Sequence, residues 1–276
     1  MLMFRYFGVL GICAFLLIAA CSPERNLAQN YVKNHTGNAV MILPLNEMFK
    51  DNLAISYDTN ILYSPEQFDS IAWAQSCYIK QVSDSVFLTT FTNSLIDRLT
   101  SSGFDVYVDG SSDIFLSLPD PKWMVQIAQL QLNEDHKTYY HEVYATDSDD
   151  TEYEGYRINQ VSLETWFEVS RTNTGNKQVL YLEGYIEDEF KMGIDLDLMG
   201  GTLGYTANRD SVKIENVYEM AHDLGDKHAD LLFDYFMNDY IRENLPSGIT
   251  HREYYHYDRR KNALKRGLQE RFDVVN

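Results

Sequence analysis

The feature that most constrains the fold is a strand pattern, a helix pattern and a second strand pattern in direct succession. Residues 39–45 form a continuous apolar run, which is typical of a buried strand. Apolar side chains then recur at helical spacing over residues 87–99, and Gly103 offers a left-handed C-terminal cap. Residues 104–108 alternate between apolar and polar side chains, as in a strand. A chain with this order needs a sheet on which helices pack.

Two further helices have recognisable ends. Residues 64–67, Ser-Pro-Glu-Gln, form a capping box with proline in the first turn, and they predict a helix that continues to about Lys80. A long helix is predicted from residue 210 or 211 to about residue 245, where a Pro-Ser-Gly sequence stops it. Gly225 lies in the apolar stripe of this helix, and its missing side chain predicts a close approach of the helix to the sheet.

The middle of the chain is rich in strand patterns. Apolar residues alternate from Trp123 to Ile127 and continue one step out of phase afterwards, which predicts a β-bulge or bend near Ile127. A second alternation over residues 161–169 is followed by a turn at 172–176 and a returning strand at 179–186. We therefore expect an α+β fold, with a mostly antiparallel sheet packed on two or three helices that include the long C-terminal one.

The N-terminus has the composition of a signal peptide. Arg5 is followed by a mostly apolar, uncharged run over residues 7–20. This run is too short to cross a membrane, since a spanning helix needs about 20 residues. The sequence predicts a signal peptide at 1–20, a tether at 21–38, a single α+β domain at 39–248 and a basic, tyrosine-rich tail at 249–276.

The end of that run, Ile18-Ala19-Ala20-Cys21, resembles the lipobox of bacterial lipoproteins. The resemblance implies that a peptidase removes everything before the cysteine and that Cys21 carries the lipid. A cysteine with more than two acyl chains binds a membrane in an effectively permanent way. Ser22 stands where lipoproteins kept at the inner membrane have aspartate, so the resemblance implies the outer membrane. Ser22 does not indicate which face of that membrane the protein occupies, and the periplasmic side is the expectation. The alternative is an ordinary secretory signal that happens to contain a cysteine.

Cysteine content and charge set further bounds. Cys13 leaves with the signal and Cys21 is lipidated, so Cys77 is the only remaining thiol and no internal disulfide can form. The net charge of −18 argues against a nucleic-acid partner, because phosphate binding needs a basic surface. The charge is uneven: seven Lys/Arg against four acids give residues 250–276 a net charge of +3, so the rest carries −21.

The sequence contains no recognisable catalytic or metal-binding motif. G-x-S-x-G, H-E-x-x-H and Walker patterns are absent. His251, Glu253, His256 and Asp258 form the densest group of ligand-type residues, but their spacing does not match zinc motifs. His228, in the apolar stripe of the last helix, is interpreted as a core imidazole with a hydrogen-bond partner. We expect a non-enzymatic protein without cofactor or metal. The alternative is an enzyme whose catalytic carboxylates are far apart in the sequence and come together only in the fold.

Two groups of residues are candidates for partner binding. Trp73 and Cys77 lie one turn apart on the predicted helix after residue 64, opposite its apolar stripe. They either pack inside the domain or contact a partner. Met192, Leu198 and Met199 stand on a glycine-rich segment that suits a loop dipping toward lipid or a neighbouring subunit. The alternative is that this segment covers one end of the sheet.

The order of these elements resembles that of small α+β envelope lipoproteins. These are the auxiliary lipoproteins of ABC-type lipid transporters, and the related fold of curli-secretion lipoproteins and TolB amino-terminal domains. The matching parts are the lipobox, the strand at 41–45, the helix at 87–99 and the strand at 104–108. Apart from the lipobox, no residue-level motif of those families is present. The predicted anchor, the single core and the absence of a catalytic motif lead us to expect an accessory or scaffolding lipoprotein that docks on an envelope transport or assembly complex. The alternative is a binder of a small ligand or lipid, with a pocket between the sheet and the last helix.

Overall fold

The structure is a computed structural model that describes residues 22–55, 63–144, 151–173, 177–197, 202–267 and 270–275. Its helices are α1 (Pro23–Asn34), α2 (Pro65–Gln75), α3 (Asp84–Ser101), α4 (Ser112–Ser117) and α5 (Ile214–Asn244), with a 3-10 turn at Arg259–Lys261. Its strands are β1 (Ala39–Leu43), β2 (Phe49–Asn52), β3 (Asp105–Tyr107), β4 (Lys122–Tyr144), β5 (Thr151–Arg171), β6 (Lys177–Glu187), β7 (Glu189–Asp197), β8 (Thr202–Asp210), β9 (Tyr254–Asp258), β10 (Ala263–Gly267) and β11 (Asp273–Val275). None of the described helices is both long and apolar enough to cross a membrane.

The fold is α+β, as predicted, but its main sheet is mixed. Seven strands run in the order β11-β6-β5-β4-β1-β3, with β2 also paired to β4. Strands β4, β5, β6 and β11 are antiparallel neighbours, whereas β1 pairs in parallel with both β3 and β4, and β2 pairs in parallel with β4. The prediction of a mostly antiparallel sheet was therefore wrong. The helical connections between β1, β3 and β4 return the chain to the same end of the sheet, and such crossovers produce parallel pairs.

The register of the central strands follows the predicted pattern. Strands β4 and β5 pair along their whole lengths, and the register shifts between Ile127 and Gln129, at the predicted bulge. Strand β6 returns antiparallel to β5. The alternating apolar side chains of β5 are fully buried on the face that carries the main core: Val161, Leu163, Phe167 and Val169.

Helices α3 and α5 supply the other half of that core. Helix α5 ends close to the predicted residue but begins later, with Lys213 as its N-cap. Phe91 on α3 and Phe236 on α5 are fully buried in the same cluster as the β5 side chains. The small α4 packs on the opposite face, where Phe115 contacts Met41 of β1.

At Gly225, α5 closely approaches α3 and not, as had been predicted, the sheet. A Cβ at Gly225 would come within 2.5 Å of the Phe91 carbonyl oxygen on α3 and 2.9 Å of Ser94 Cβ. The helix meets the sheet instead at Gly184, where an added Cβ would stand 2.2 Å from Leu224 Cδ2. Glycine thus permits two tight contacts of α5, one with α3 and one with β6.

Residues 22–38 do not form the predicted tether. Pro23–Asn34 is a helix that packs on α5, with Ala28 and Tyr31 buried in the main core. His35 ends this helix, and its ring nitrogens lie 2.7 Å from the Ser102 carbonyl oxygen and 3.1 Å from that of Tyr31. Apolar burial and these hydrogen bonds fix the segment to the domain.

The C-terminal segment is also ordered onto the domain rather than being a weakly structured tail. Strands β9 and β10 form an antiparallel hairpin, and β11 adds to the main sheet beside β6. Tyr254 and Phe272 are buried in the main core. The Asn238 side chain of α5 binds both backbone groups of Tyr255, at 2.9 Å and 2.8 Å, in place of a neighbouring strand.

The glycine-rich segment after residue 190 has regular backbone where it is described. Strands β7 and β8 form a separate two-stranded antiparallel sheet. At its base, Asp188 accepts hydrogen bonds from the backbone amides of Asn159 and Val212, both at 2.8 Å, and from Arg209 Nε at 2.9 Å. Asp188 therefore joins the ribbon to β5 and to the start of α5.

Candidate functional site

Ser22, the first residue that the structure describes, makes hydrogen bonds both to α1 and to the C-terminal segment. Ser22 is the N-cap of α1, and its Oγ accepts a hydrogen bond from the amide of Arg25 at 3.0 Å. The same Oγ lies 3.0 Å from Tyr255 Oη and 3.4 Å from Glu253 Oε2. The residue after the predicted lipidation site is thus fixed to the C-terminal hairpin.

Glu24 strengthens this junction. Its buried carboxylate accepts the backbone N–H of Arg252 at 2.8 Å and that of Glu253 at 3.3 Å. Arg266 on β10 forms an ion pair with Glu253 at 2.9 Å. Arg25, Arg252 and Arg266 are exposed at this end of the molecule. We call the group of Ser22, Arg25, Arg252, Glu253, Tyr255 and Arg266 the anchor end.

Exposed apolar side chains border β2, at an edge of the sheet. Phe49 is 65% exposed and Leu53 is 55% exposed, and Trp73 on the adjacent α2 is 49% exposed. Lys50 Nζ lies 5.8 Å from the centre of the Trp73 ring. Since side chains alternate along a strand, Phe49 and Lys50 point to opposite faces, so exposed aromatic groups flank β2 on both sides. Within the described residues β2 pairs only with β4.

Cys77 is exposed but does not lie on the helix of Trp73. Helix α2 ends at Gln75, and the buried Glu134 carboxylate of β4 accepts the amides of Cys77, Tyr78 and Ile79 at 2.8–3.3 Å. The predicted continuation to Lys80 was wrong, because this carboxylate captures amides that a longer helix would have used. Trp73 thus belongs to α2, and Cys77 belongs to the turn that follows α2.

A large cleft among the described residues lies between α5 and the C-terminal segment. It has a volume of about 1180 Å³ and also borders β6. Its wall is highly charged, with Asp226 and Asp230 on α5, and Arg260 and Arg271 on the C-terminal segment. A pocket was expected between the sheet and the last helix. This cleft is lined by β6 and α5 but also by the C-terminal segment, and Leu224 of α5 packs over Gly184 of β6.

Asp234 and His256 meet at the inner end of this cleft. His256 Nδ1 lies 3.2 Å from Asp234 Oδ2, and the amide of Tyr257 donates to Asp234 Oδ1 at 2.9 Å. Burial raises the pKa of Asp234, and the hydrogen bonds from His256 and Tyr257 oppose that rise. On its other side His256 Nε2 closes on Gly267, where an added Cβ would stand 2.3 Å away. No serine or cysteine side chain among the described residues is hydrogen-bonded to His256, so the pair fastens β9 to α5.

The other histidine of interest is buried without a polar partner. His228 is fully buried, with its ring centre 5.5 Å from that of Phe91 and 5.6 Å from that of Phe167. Neither ring nitrogen has a hydrogen-bond partner among the described residues. Burial lowers the pKa of His228 to about 3. The prediction of a core imidazole was confirmed, but the prediction of a hydrogen-bond partner was wrong.

The predicted ligand-type cluster at the C-terminus is not one site. His256 binds Asp234, whereas Asp258 pairs with Lys265 at 2.6 Å and Glu253 with Arg266. In the part of the chain that the structure describes, no three His, Cys, Asp or Glu residues are grouped to hold a metal ion.

Several predicted site residues lie outside the described residues. These are the lipobox residues Ile18, Ala19 and Ala20, the lipidation site Cys21, and Leu198 and Met199. Met192 lies in β7, but its side chain is outside the description.

The sequence did contain a signal for the anchor end. Residues 22–24 repeat the Ser-Pro-Glu sequence that marks the start of α2 at residues 64–66. In both helices serine is the N-cap and proline follows at the first helical position.

Comparison with known proteins finds no family and no curated protein that matches this chain.

Proposed function

We propose that the protein is a non-enzymatic accessory lipoprotein of a bacterial cell envelope, anchored to the outer membrane through Cys21. In this proposal it holds a protein partner of a transport or assembly complex at the edge formed by β2. The lipobox sequence before Ser22 supports the anchor. The observation that carries the partner site is the exposure of Phe49 and Trp73 on the two sides of β2.

The chemistry of this edge supports a protein partner. Aromatic side chains are enriched at the centres of protein interfaces, where they bury large areas at a small cost in conformational entropy. An edge strand also offers backbone groups to which an incoming segment can add. Lys50, over the Trp73 ring and hydrogen-bonded to the Val82 carbonyl, holds the α2 side of the edge in place.

The partner site can be tested in detergent-solubilised envelopes. The tagged wild-type protein is expected to recover a defined membrane complex, and the double variant Phe49→Ser/Trp73→Ser is expected to lose it. Tyr185→Ser is the matched control, because Tyr185 is an aromatic residue of similar exposure, 54%, on β6. Recovery of the wild-type protein alone, or equal recovery by the double variant, would contradict the proposal.

The anchor has a separate test. Cys21→Ser is expected to release the protein into the soluble fraction and to abolish labelling by a clickable fatty acid. Cys77→Ser is the control, since it removes the other thiol of the mature chain and should leave both properties unchanged. A Cys21→Ser protein that keeps its membrane fraction and its label would refute the anchor.

A second candidate function is the binding of a small charged ligand. The cleft of about 1180 Å³ favours it, because Arg260 and Arg271 on its wall are exposed and oppose the acidic side chains of α5. Native mass spectrometry of gently purified protein tests this function. A co-purified mass that disappears in Arg260→Gln/Arg271→Gln supports it, and the bare protein mass under several mild conditions contradicts it.

A further inference from the structure

The junction around Ser22 determines how an acylated chain would sit on its membrane. Ser22 is fixed by a hydrogen bond with Tyr255 Oη and by its role as the α1 N-cap, so the chain is held to the domain from that residue onward. Cys21 is one peptide bond away, and consecutive Cα atoms are separated by about 3.8 Å. An acyl group on Cys21 would therefore be attached within one residue of the anchor end.

The charge at this end is opposite to that of the whole molecule. The protein carries −18, yet Arg25, Arg252 and Arg266 are exposed around Ser22. The two carboxylates that contact this group are withdrawn from solvent: Glu24 is buried on backbone amides and the Glu253 side chain is 17% exposed. Solvent at the anchor end therefore meets mainly guanidinium groups, which bind phosphate oxygens well.

We propose that the anchor end lies directly on the bilayer and that its three arginines bind the phosphate groups of anionic phospholipids. The inference rests on the proposed acylation of Cys21. The acyl chains give the attachment, and the arginines give the orientation, because they attract only one end of an acidic molecule to a negative surface. Repulsion of the remaining acidic surface from the same lipids favours this orientation further.

The experiment uses the acylated full-length protein in vesicles, with Cys77→Ser and Asn26→Cys. Asn26 is exposed one turn into α1, and its new thiol carries a fluorophore. Quenching by headgroup-labelled lipid is compared between pure phosphatidylcholine vesicles and vesicles with one third phosphatidylglycerol. We expect stronger quenching in the anionic vesicles, and loss of the difference at high salt, where the Debye length falls to a few ångströms.

The decisive variant is Arg252→Gln/Arg266→Gln, which keeps the backbone hydrogen bond of Arg252 to Glu24. Each arginine near an anionic surface changes the binding constant by about fivefold, so the pair should weaken the oriented state by more than tenfold. Arg260→Gln/Lys261→Gln is the matched control. It removes the same charge from the far end of the same hairpin, about five residues or ~17 Å away.

The outcomes separate the two proposals. Lipid-dependent quenching that the decisive variant abolishes and the control retains supports the inference. Equal quenching in both kinds of vesicle, or equal effects of the two variants, overturns it while the anchor stands. An intact mass without acyl chains overturns the anchor itself, and this orientation with it.

Discussion

Replacing His228 by leucine is predicted to remove a large pH dependence of stability. The imidazole is fully buried between Phe91 and Phe167, and its two nitrogens have no hydrogen-bond partner among the described residues. Burial lowers the pKa of His228 to about 3, whereas the same side chain in the unfolded chain titrates near 6.5. The folded state therefore keeps a neutral ring over a pH range in which the unfolded state binds a proton.

The sign and size of the effect follow from this difference. Because the folded-state pKa is depressed, the stability is complete above the unfolded-state pKa and falls as the pH drops from about 6.5 toward 3. Each pH unit in that interval costs about 1.4 kcal/mol. The wild-type protein should lose about 2 kcal/mol between pH 8 and pH 5 from His228 alone. His228→Leu removes this contribution.

Urea unfolding of the purified proteins at pH 8, 6.5 and 5, followed by tryptophan fluorescence and circular dichroism, measures the effect. Other groups titrate in both proteins, so the quantity of interest is the change with pH of the difference between His228→Leu and wild type. His222→Leu is the control on the same helix, because the His222 side chain is 59% exposed. A constant difference between His228→Leu and wild type from pH 8 to pH 5 would refute the reasoning.

Three further predictions concern contacts that position the elements. Gly225→Ala should destabilise the protein by about 2 kcal/mol in urea unfolding despite the better helix propensity of alanine, because its Cβ would meet the Phe91 carbonyl; an unchanged midpoint would contradict this contact. Asp188→Asn should destabilise the protein by about 2 kcal/mol at pH 7. Burial alone would raise the pKa of Asp188, but its three hydrogen-bond donors outweigh burial and lower the pKa, so the cost should shrink below about pH 4. A cost that does not change with pH would contradict a charged Asp188 carboxylate at this site. Glu24→Gln should speed tryptic cleavage after Arg252, as it weakens the binding of that backbone to α1, and equal cleavage rates would contradict the role of Glu24.

Much of the fold was predictable because its signals are local. The bulge near Ile127 follows from a phase slip in the alternation of apolar residues, and the capping box at Ser64 from a four-residue motif. Both depend on neighbours in the sequence. The long α5 was predictable for the same reason, since its apolar stripe continues over many turns.

The predictions that were wrong concern contacts between residues that are distant in the sequence. The end of α2 is set by Glu134, which lies nearly sixty residues away. Gly225 could be identified as a contact point, but nothing local distinguishes α3 from the sheet as its partner. The parallel pairing of β1 likewise depends on where the crossover helices return the chain, and a strand pattern alone does not encode direction.

The candidate sites were harder to predict than the elements. Trp73 could be identified as a candidate because an aromatic residue off the apolar stripe of a helix is visible in the sequence. The structure leaves Trp73 exposed, as the alternative of a contact with a partner requires. The anchor end was missed because residues 22–38 bury only a few side chains, so their apolar periodicity is weak. The Ser-Pro-Glu start was the stronger indicator.

Helix α5 connects the two surfaces on which the proposed function depends. Near its first turns, Tyr218 Oη accepts the amide of Ser83, next to the Lys50–Asp84 ion pair of the β2 edge. Twenty residues later, Asn238 holds Tyr255 of the anchor end. A helix rises 1.5 Å per residue, so the two places are about 30 Å apart along its axis. With the anchor end on the bilayer, as we propose, α5 would hold the partner site away from the lipid without a tether between the membrane and the domain.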